Sequence, residues 1–331
     1  MRRLRGLRYS ISVLVLVFLI IFFLTFERRT IEALIHMKIY FLVFLTATTL
    51  SALFFDSLTI HLLSLTSNPK ISIGQALRVI ISGYFAGAVT PFQAGTFPYQ
   101  VWIFRGIGIR PGRAGAILFY RSAIPNLTAL GLAPIIALRL GVTSHWAFSP
   151  LVIYFGILLF IFLVLVYSAV FRPKTLRRVL LRLGKRFPKL KKSVRFLLKE
   201  AQEFRSGMRI YFNRKNIGYF FLAFLTGNIF LFFLLLVSPL TLASFGISKV
   251  YLRAMGIQLL LRTILLYVPT PGATGVAEAG GLIFFAAICP KYLLGIFILI
   301  YRMFTFYLYV ILGGIFIFKE GIFSQKALSP S

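Results

Sequence analysis

Residues 268–280 read VPTPGATGVAEAG, from Val268 to Gly280, and lie between two apolar runs. Two prolines, three glycines and a glutamate are poor content for an uninterrupted membrane helix. The surroundings nevertheless say membrane: 59% of the 331 residues are hydrophobic and 16% are aromatic. Mean hydropathy is +0.90. Apolar runs of about 20 residues recur, the length a helix needs to cross a bilayer. The alternating short strands of an outer-membrane barrel are absent. The chain reads as an all-α polytopic membrane protein, a single transmembrane domain over 1–331.

Six full spans are expected, at about 11–26, 39–65, 114–138, 148–171, 217–243 and 292–318. The basic start MRRLRGLR before the first run resembles a signal peptide, but no small-residue cleavage site follows, so a retained first helix is expected. Two further apolar segments, 73–104 and 250–288, are each broken in the middle by Pro and Gly. They read as re-entrant hairpins or broken helices. With the N-terminus inside, the predicted inside segments carry 26 Lys/Arg and the outside segments 6, while Arg78, Arg121, Arg253, Arg262 and Arg302 fall within apolar segments. That asymmetry fits the positive-inside rule and puts both termini on the cytoplasmic face of a cell membrane.

The net charge of +30 would suggest nucleic acid in a soluble chain. Here 16 of the basic residues lie in 172–216. Apolar residues recur there at helical spacing (Leu176, Val179, Leu180, Leu183 and Phe187, then Leu190, Val194, Leu197, Leu198, Ala201, Phe204 and Met208). The pattern predicts cytoplasmic amphipathic helices on an anionic inner leaflet, with a merely solvated loop as the plainer alternative, and not a nucleic-acid site. A lone cysteine, Cys289, excludes internal disulfides, and the scattered histidines His36, His61 and His145 give no metal spacing. No metal or other cofactor is expected.

The opening stretch has a partner. TPFQAG runs from Thr90 to Gly95 and TPGATG from Thr270 to Gly275, 180 residues on. Each is followed by a Tyr-Arg pair, Tyr120–Arg121 and Tyr301–Arg302. This indicates a duplicated unit, 39–138 and 217–318. In the topology above the two hairpins enter from opposite sides, so the second repeat is inverted. Inverted repeats with broken helices are a recurrent transporter design. Broken backbone in hydrocarbon survives only where it is buried in protein or lines a cavity.

Three stretches resemble a known family: TPFQAGTFPYQVWIFRGIGIRPGRA (Thr90–Ala114), VPTPGATGVAEAG, and IYRMFTFYLYVILGG (Ile300–Gly314). They are similar to segments of the transmembrane region of lysylphosphatidylglycerol synthases, which also occurs as stand-alone membrane proteins. Thr96 and Ala273–Thr274 depart from glycines of the family pattern. The resemblance implies lipid flipping. Because the chain stops at Ser331, it also implies no aminoacyl-transferase domain and hence a separate lipid-modifying enzyme as a partner. A homo-oligomer is compatible with it.

Two acids lie at membrane depth, Asp56 and Glu278, and such groups are functional candidates. The other five, Glu200 and Glu203 among them, are assigned to loops. Glu278 is expected in the first turn of a returning half-helix, where the dipole favours a carboxylate. It is a candidate partner for Arg262, Arg302, Arg121 or a cationic headgroup, or a structural cap. Arg121, Arg262 and Arg302 are suited to phosphate, whereas Arg78 and Arg253 are expected to snorkel. Gln93, Tyr99 and Gln100 supply hydrogen bonds at the first break. Thr90, Pro91 and Gly95 shape it; Thr270, Pro271, Gly272 and Gly275 shape the second, with Tyr301 beside Arg302. Asp56 and Glu278 are the candidates for proton coupling; for Asp56, with His61 five residues on, a plain polar contact is the alternative. The expected function is a flippase or scramblase for a phospholipid, aminoacylated phosphatidylglycerol included. A membrane transferase using polyprenyl-phosphate donors and a small-solute transporter remain as alternatives. The spans hold no paired carboxylates or other catalytic constellation, so no enzymatic activity is expected.

Overall fold

A computed structural model describes residues 39–139, 191–265 and 270–327, together with Glu32, Ile35, Met37, Phe160 and Val268. The predicted spans 11–26 and 148–171 lie outside these residues, apart from Phe160 in the second. The described residues form helices joined by turns and short loops, with no strand among them.

Helix α1 (Tyr40–Ser64) is 25 residues long, about 37 Å at 1.5 Å per residue and enough to cross ~30 Å of hydrocarbon. Four of its hydroxyls are satisfied within the helix, which suits an apolar medium: Thr46, Thr49, Ser57 and Thr59 each donate to the carbonyl four residues back. After it come α2 (Ile73–Ala88), a short turn at Pro91–Gln93, α3 (Thr96–Gly106) and α4 (Pro111–Arg139). Helix α2 starts with a reciprocal cap, Gln75 N–H donating to Ser72 Oγ at 3.2 Å and Ser72 N–H to Gln75 Oε1 at 2.9 Å.

Helix α5 (Lys191–Ile210) lies between the two halves. The second half repeats the order of the first. It comprises α6 (Ile217–Leu235), α7 (Val237–Ser244), α8 (Tyr251–Leu265), a turn at Pro271–Ala273 and α9 (Val276–Phe285). Then follow α10 (Lys291–Arg302), a π-helical turn at Met303–Tyr307 and α11 (Leu308–Ala327). Both segments read as broken from the sequence are helix–turn–helix units, with the turns at the two Thr-Pro stretches. Among the described residues, three stretches are long and apolar enough to cross a membrane: Tyr40–Ser64, Ile217–Ser244 and Lys291–Ile317.

The packing joins the two halves of the chain. Each half has its own apolar core, one around Ile60, Ile80, Phe104 and Ile117, the other around Ile257, Phe285, Phe297 and Ile298. The halves join by like-to-like contacts: α1 lies along α6, and the first turn touches the second. They also exchange contacts, α2 packing on α11 and α8 on α4. Thr59 Oγ1 and Thr226 Oγ1 meet at 2.8 Å across the α1–α6 seam.

Helix α5 departs from the expectation of a lipid-lying helix in one respect. Met208 is buried and Phe204 packs on the first core, against α4. At Phe204 and Met208 the apolar face is therefore occupied by protein, and 172–190 lies outside the described residues. Glu200 and Glu203, assigned to a loop, sit on this helix and secure it. Gly112 N–H, an orphan donor in the first turn of α4, donates to Glu200 Oε2 at 2.6 Å, and Arg110 pairs with Glu203.

The α2–α11 crossing is close because Gly313 has no side chain; a Cβ there would stand 2.2 Å from the Ile81 carbonyl oxygen. Gly313→Ala is expected to cost about 1–3 kcal/mol by overpacking and to lower the melting temperature in detergent. Gly218→Ala, in open space, serves as the control and should leave it unchanged. Cys289 is buried beside the second core, and burial pushes its thiol up to about 12. Little thiolate then exists at neutral pH, so maleimide should label the folded protein slowly and the denatured protein fast.

Candidate functional site

The two turns share a left-handed backbone conformation at two successive positions. Phe92 has φ 54° and ψ 17°, and Gly272 has φ 59° and ψ 17°. The next residues, Gln93 and Ala273, have φ 53° and 55°. Gln93 N–H donates to Thr90 O, as Ala273 N–H does to Thr270 O. The sequence offset of 180 residues is thus also a conformational one. At the second turn Gly272 supplies the left-handed backbone without penalty, and its Cβ position is filled by Phe306 Cζ at 2.3 Å. At the first turn Phe92, 62% exposed, takes the same conformation, at a cost of order 1–3 kcal/mol. Thr90 holds that turn closed: its Oγ1 donates to Ala86 O at 2.9 Å and accepts from Gly95 N–H at 2.8 Å.

Each half buries one arginine–carboxylate pair next to the turns. In the second, Glu278 stands in the first turn of α9, as its place in the sequence predicted, and is 1% exposed. Its Oε2 accepts from Gly275 N–H at 2.7 Å. Its Oε1 accepts from Arg302 Nε at 2.8 Å and from the Tyr307 hydroxyl at 3.2 Å. Of the three candidate arginines, Arg302 is the partner. The same guanidinium donates to Gly272 O at 3.3 Å and lies 4.3 Å from the Phe306 ring centre. The carboxylate therefore ties the helix start, the turn and α10 together. The π-helical turn that follows Arg302 brings Phe306 and Tyr307 onto this group.

In the first half the repeat-equivalent Arg121 grips Asp56 with both arms of its fork, Nε to Oδ1 at 2.8 Å and Nη2 to Oδ2 at 2.5 Å. The Tyr84 hydroxyl stands 3.4 Å from both Asp56 Oδ2 and Arg121 Nη2. His61 does not join Asp56; its Nδ1 bonds the Ile71 carbonyl oxygen at 2.6 Å. Five residues along a helix place the two side chains on different faces.

Between the pairs lies a cavity of about 180 Å³. Gln93, Arg262, Gly272, Tyr301 and Arg302 line it, as do Tyr84, Thr305, Phe306 and Tyr309, which the sequence did not single out. Three of these, Thr305, Phe306 and Tyr309, stand in the quoted stretch IYRMFTFYLYVILGG, so the signal was present but unspecific; Tyr84 had none. Other expected residues lie elsewhere. Gln100 is buried and donates to Val79 O at 3.2 Å, filling the space above Gly83. Tyr99 faces outward beside Trp102, in a separate apolar groove with Thr90 and Gly95. Thr270 Oγ1 is buried without a hydrogen-bond partner among the described residues. Of Pro91 the backbone alone is described; Pro271 opens the second turn.

The family model described as lysylphosphatidylglycerol synthase TM region matches residues 9–313. This chain belongs to that family. It is also similar to a UPF0104 membrane protein of Archaeoglobus fulgidus, 24% identical over 270 residues, covering 78% of this chain and 80% of the relative. No solved structure matches. As a member of the lysylphosphatidylglycerol synthase transmembrane-region family, the chain is a membrane protein whose matched region includes both turns and both buried pairs.

Removing one partner of a buried ion pair strands the other charge, at about 3–5 kcal/mol. Glu278→Gln and Arg302→Gln should each lower thermal stability strongly. The double variant should recover a large part of that loss. Equal and additive losses in a double-mutant cycle would show that the two side chains do not interact.

Proposed function

We propose that this protein moves phospholipids between the leaflets of a cell membrane, carrying the headgroup through the cavity at the two turns while the chains stay in the bilayer. Aminoacylated phosphatidylglycerol is among the candidate substrates. The observation that carries this reading is the contact between the two left-handed turns and the charged cavity they share. Irregular backbone at membrane depth is tolerated where it lines a polar path. Two such elements, one from each half, are what an inverted-repeat carrier needs. In this reading 73–104 and 250–288 enter from opposite faces, both termini are cytoplasmic, and the basic side of 172–216 rests against anionic lipid, with a separate enzyme modifying the lipid. Asp56 and Glu278, both held by arginine, serve to keep the path charged and shaped.

The test is reconstitution of the full chain into liposomes with fluorescently labelled phospholipids of several headgroups. Translocation should be faster than in protein-free liposomes. Glu278→Gln and Arg302→Ala should slow it at least about tenfold, the scale of losing a hydrogen bond to a charged group. Gln93→Leu alters a cavity-lining, solvent-reaching side chain without touching either ion pair, and should slow it while leaving the melting temperature unchanged. No acceleration with any lipid class would sink the reading.

A further inference from the structure

The cavity contains an imbalance that the two ion pairs do not remove. Three guanidinium groups, of Arg121, Arg262 and Arg302, stand in or beside it against two carboxylates, of Asp56 and Glu278. Both oxygens of each carboxylate are taken, Asp56 by Arg121 and Tyr84, Glu278 by Arg302, Tyr307 and Gly275. Gln258, also in the wall, is taken too, bonded to Ser238 N–H and Leu234 O. Among the wall atoms withdrawn from solvent, what remains is a pair of donors: Arg262 Nη1 and the Tyr309 hydroxyl, both without a hydrogen-bond partner among the described residues. A guanidinium nitrogen withdrawn from solvent without a partner is costly, and the cost is tolerated where a ligand completes the pairing.

We propose that Arg262 and Tyr309 form the seat of a lipid phosphodiester. The unused groups are donors, so the ligand must present acceptors, and one net positive charge matches one negative charge. A phosphodiester carries one. A phosphate monoester carries about 1.5–2 at neutral pH and would leave the site negative. The fork of a guanidinium fits phosphate oxygens. A cavity of about 180 Å³ is smaller than the ~300–1,000 Å³ of ordinary ligand pockets; it suits a phosphate group and leaves glycerol and chains outside. Arg121 and Arg302, whose carboxylate partners are already in place, hold the walls and do not grip the phosphate. The lipid source of the phosphate rests on the translocation reading, whereas the seat itself does not require movement.

The experiment is equilibrium binding to the purified full-length protein in detergent. The probes are dihexanoyl phosphatidylglycerol, dihexanoyl phosphatidic acid, dihexanoylglycerol and inorganic phosphate, applied to the wild type, Arg262→Gln and Tyr309→Phe. The diester should bind best. Arg262→Gln should weaken it about tenfold or more and Tyr309→Phe several-fold, the ranges for hydrogen bonds to charged and neutral groups. Ligand-free Arg262→Gln should melt no lower than the wild type, because it removes an unpaired charge; a purely structural arginine would give the opposite. Equal binding by Arg262→Gln, equal binding of dihexanoylglycerol, tighter binding of the monoester, or inorganic phosphate binding as well as the diester would each overturn the proposal. If binding behaves as stated and liposomes show no translocation, the seat stands and the carrier reading falls; the reverse result removes the seat alone.

Discussion

Glu278 acts at three different levels of the structure. Its bond to Gly275 N–H satisfies an orphan donor at a helix start. Its bond to Arg302 closes the tertiary contact between α9 and α10. Through Arg302, which also holds Gly272 O, it fixes the left-handed turn that precedes it. In an apolar medium each of these groups would otherwise be left unpaired at several kcal/mol. The break in the helix and the buried charge are therefore one solution: the exposed backbone of the break is answered by the ion pair, and the ion pair is answered by the backbone of the break.

The first half solves the same problem with other residues. Pro98 stands where Glu278 would be expected, so the arginine of that half takes its carboxylate from Asp56 on α1. The turn itself is closed by the Thr90 hydroxyl. Backbone conformation is conserved between the halves to within a few degrees at Phe92 and Gly272, although one is the bulkiest choice and the other the most permissive. What the duplication keeps is the shape of the turn and the buried arginine; how the arginine is neutralised differs.

This explains which features were legible. The turns were readable because Thr-Pro and Gly interrupt apolar runs, and only a few residue types do so in a membrane protein. The spans 39–65, 217–243 and 292–318 were readable from hydropathy, and helices long and apolar enough to cross a membrane run through these three, while 114–138 lies within helix α4. Partner choice was not readable. Asp56 had His61 close in sequence and Arg121 sixty-five residues away, and helix geometry favoured the distant one. Gln100 looked like a cavity residue because it is polar near a break, yet α-helical phase turns it into α2. The left-handed backbone of Phe92 carries no local signature; it becomes intelligible when laid on Gly272.

The asymmetry between the halves extends to Arg262. Its counterpart at the repeat offset is Ser82, a small buried side chain whose Oγ likewise lacks a partner among the described residues. The uncompensated charge thus belongs to α8 alone and has no mirror on α2. A symmetric scaffold can open alternately to either side, but a site with one charge placed off its axis presents a ligand with one preferred orientation. With a phosphodiester seated, the cavity is neutral; without it, one positive charge is exposed to low dielectric. Charge in such surroundings is costly whether the protein is open to one side or the other. Under the proposed carrier reading, the loaded form is therefore the one for which passing through a closed intermediate is cheapest, and the proposed preference for an anionic group follows from the same charge count.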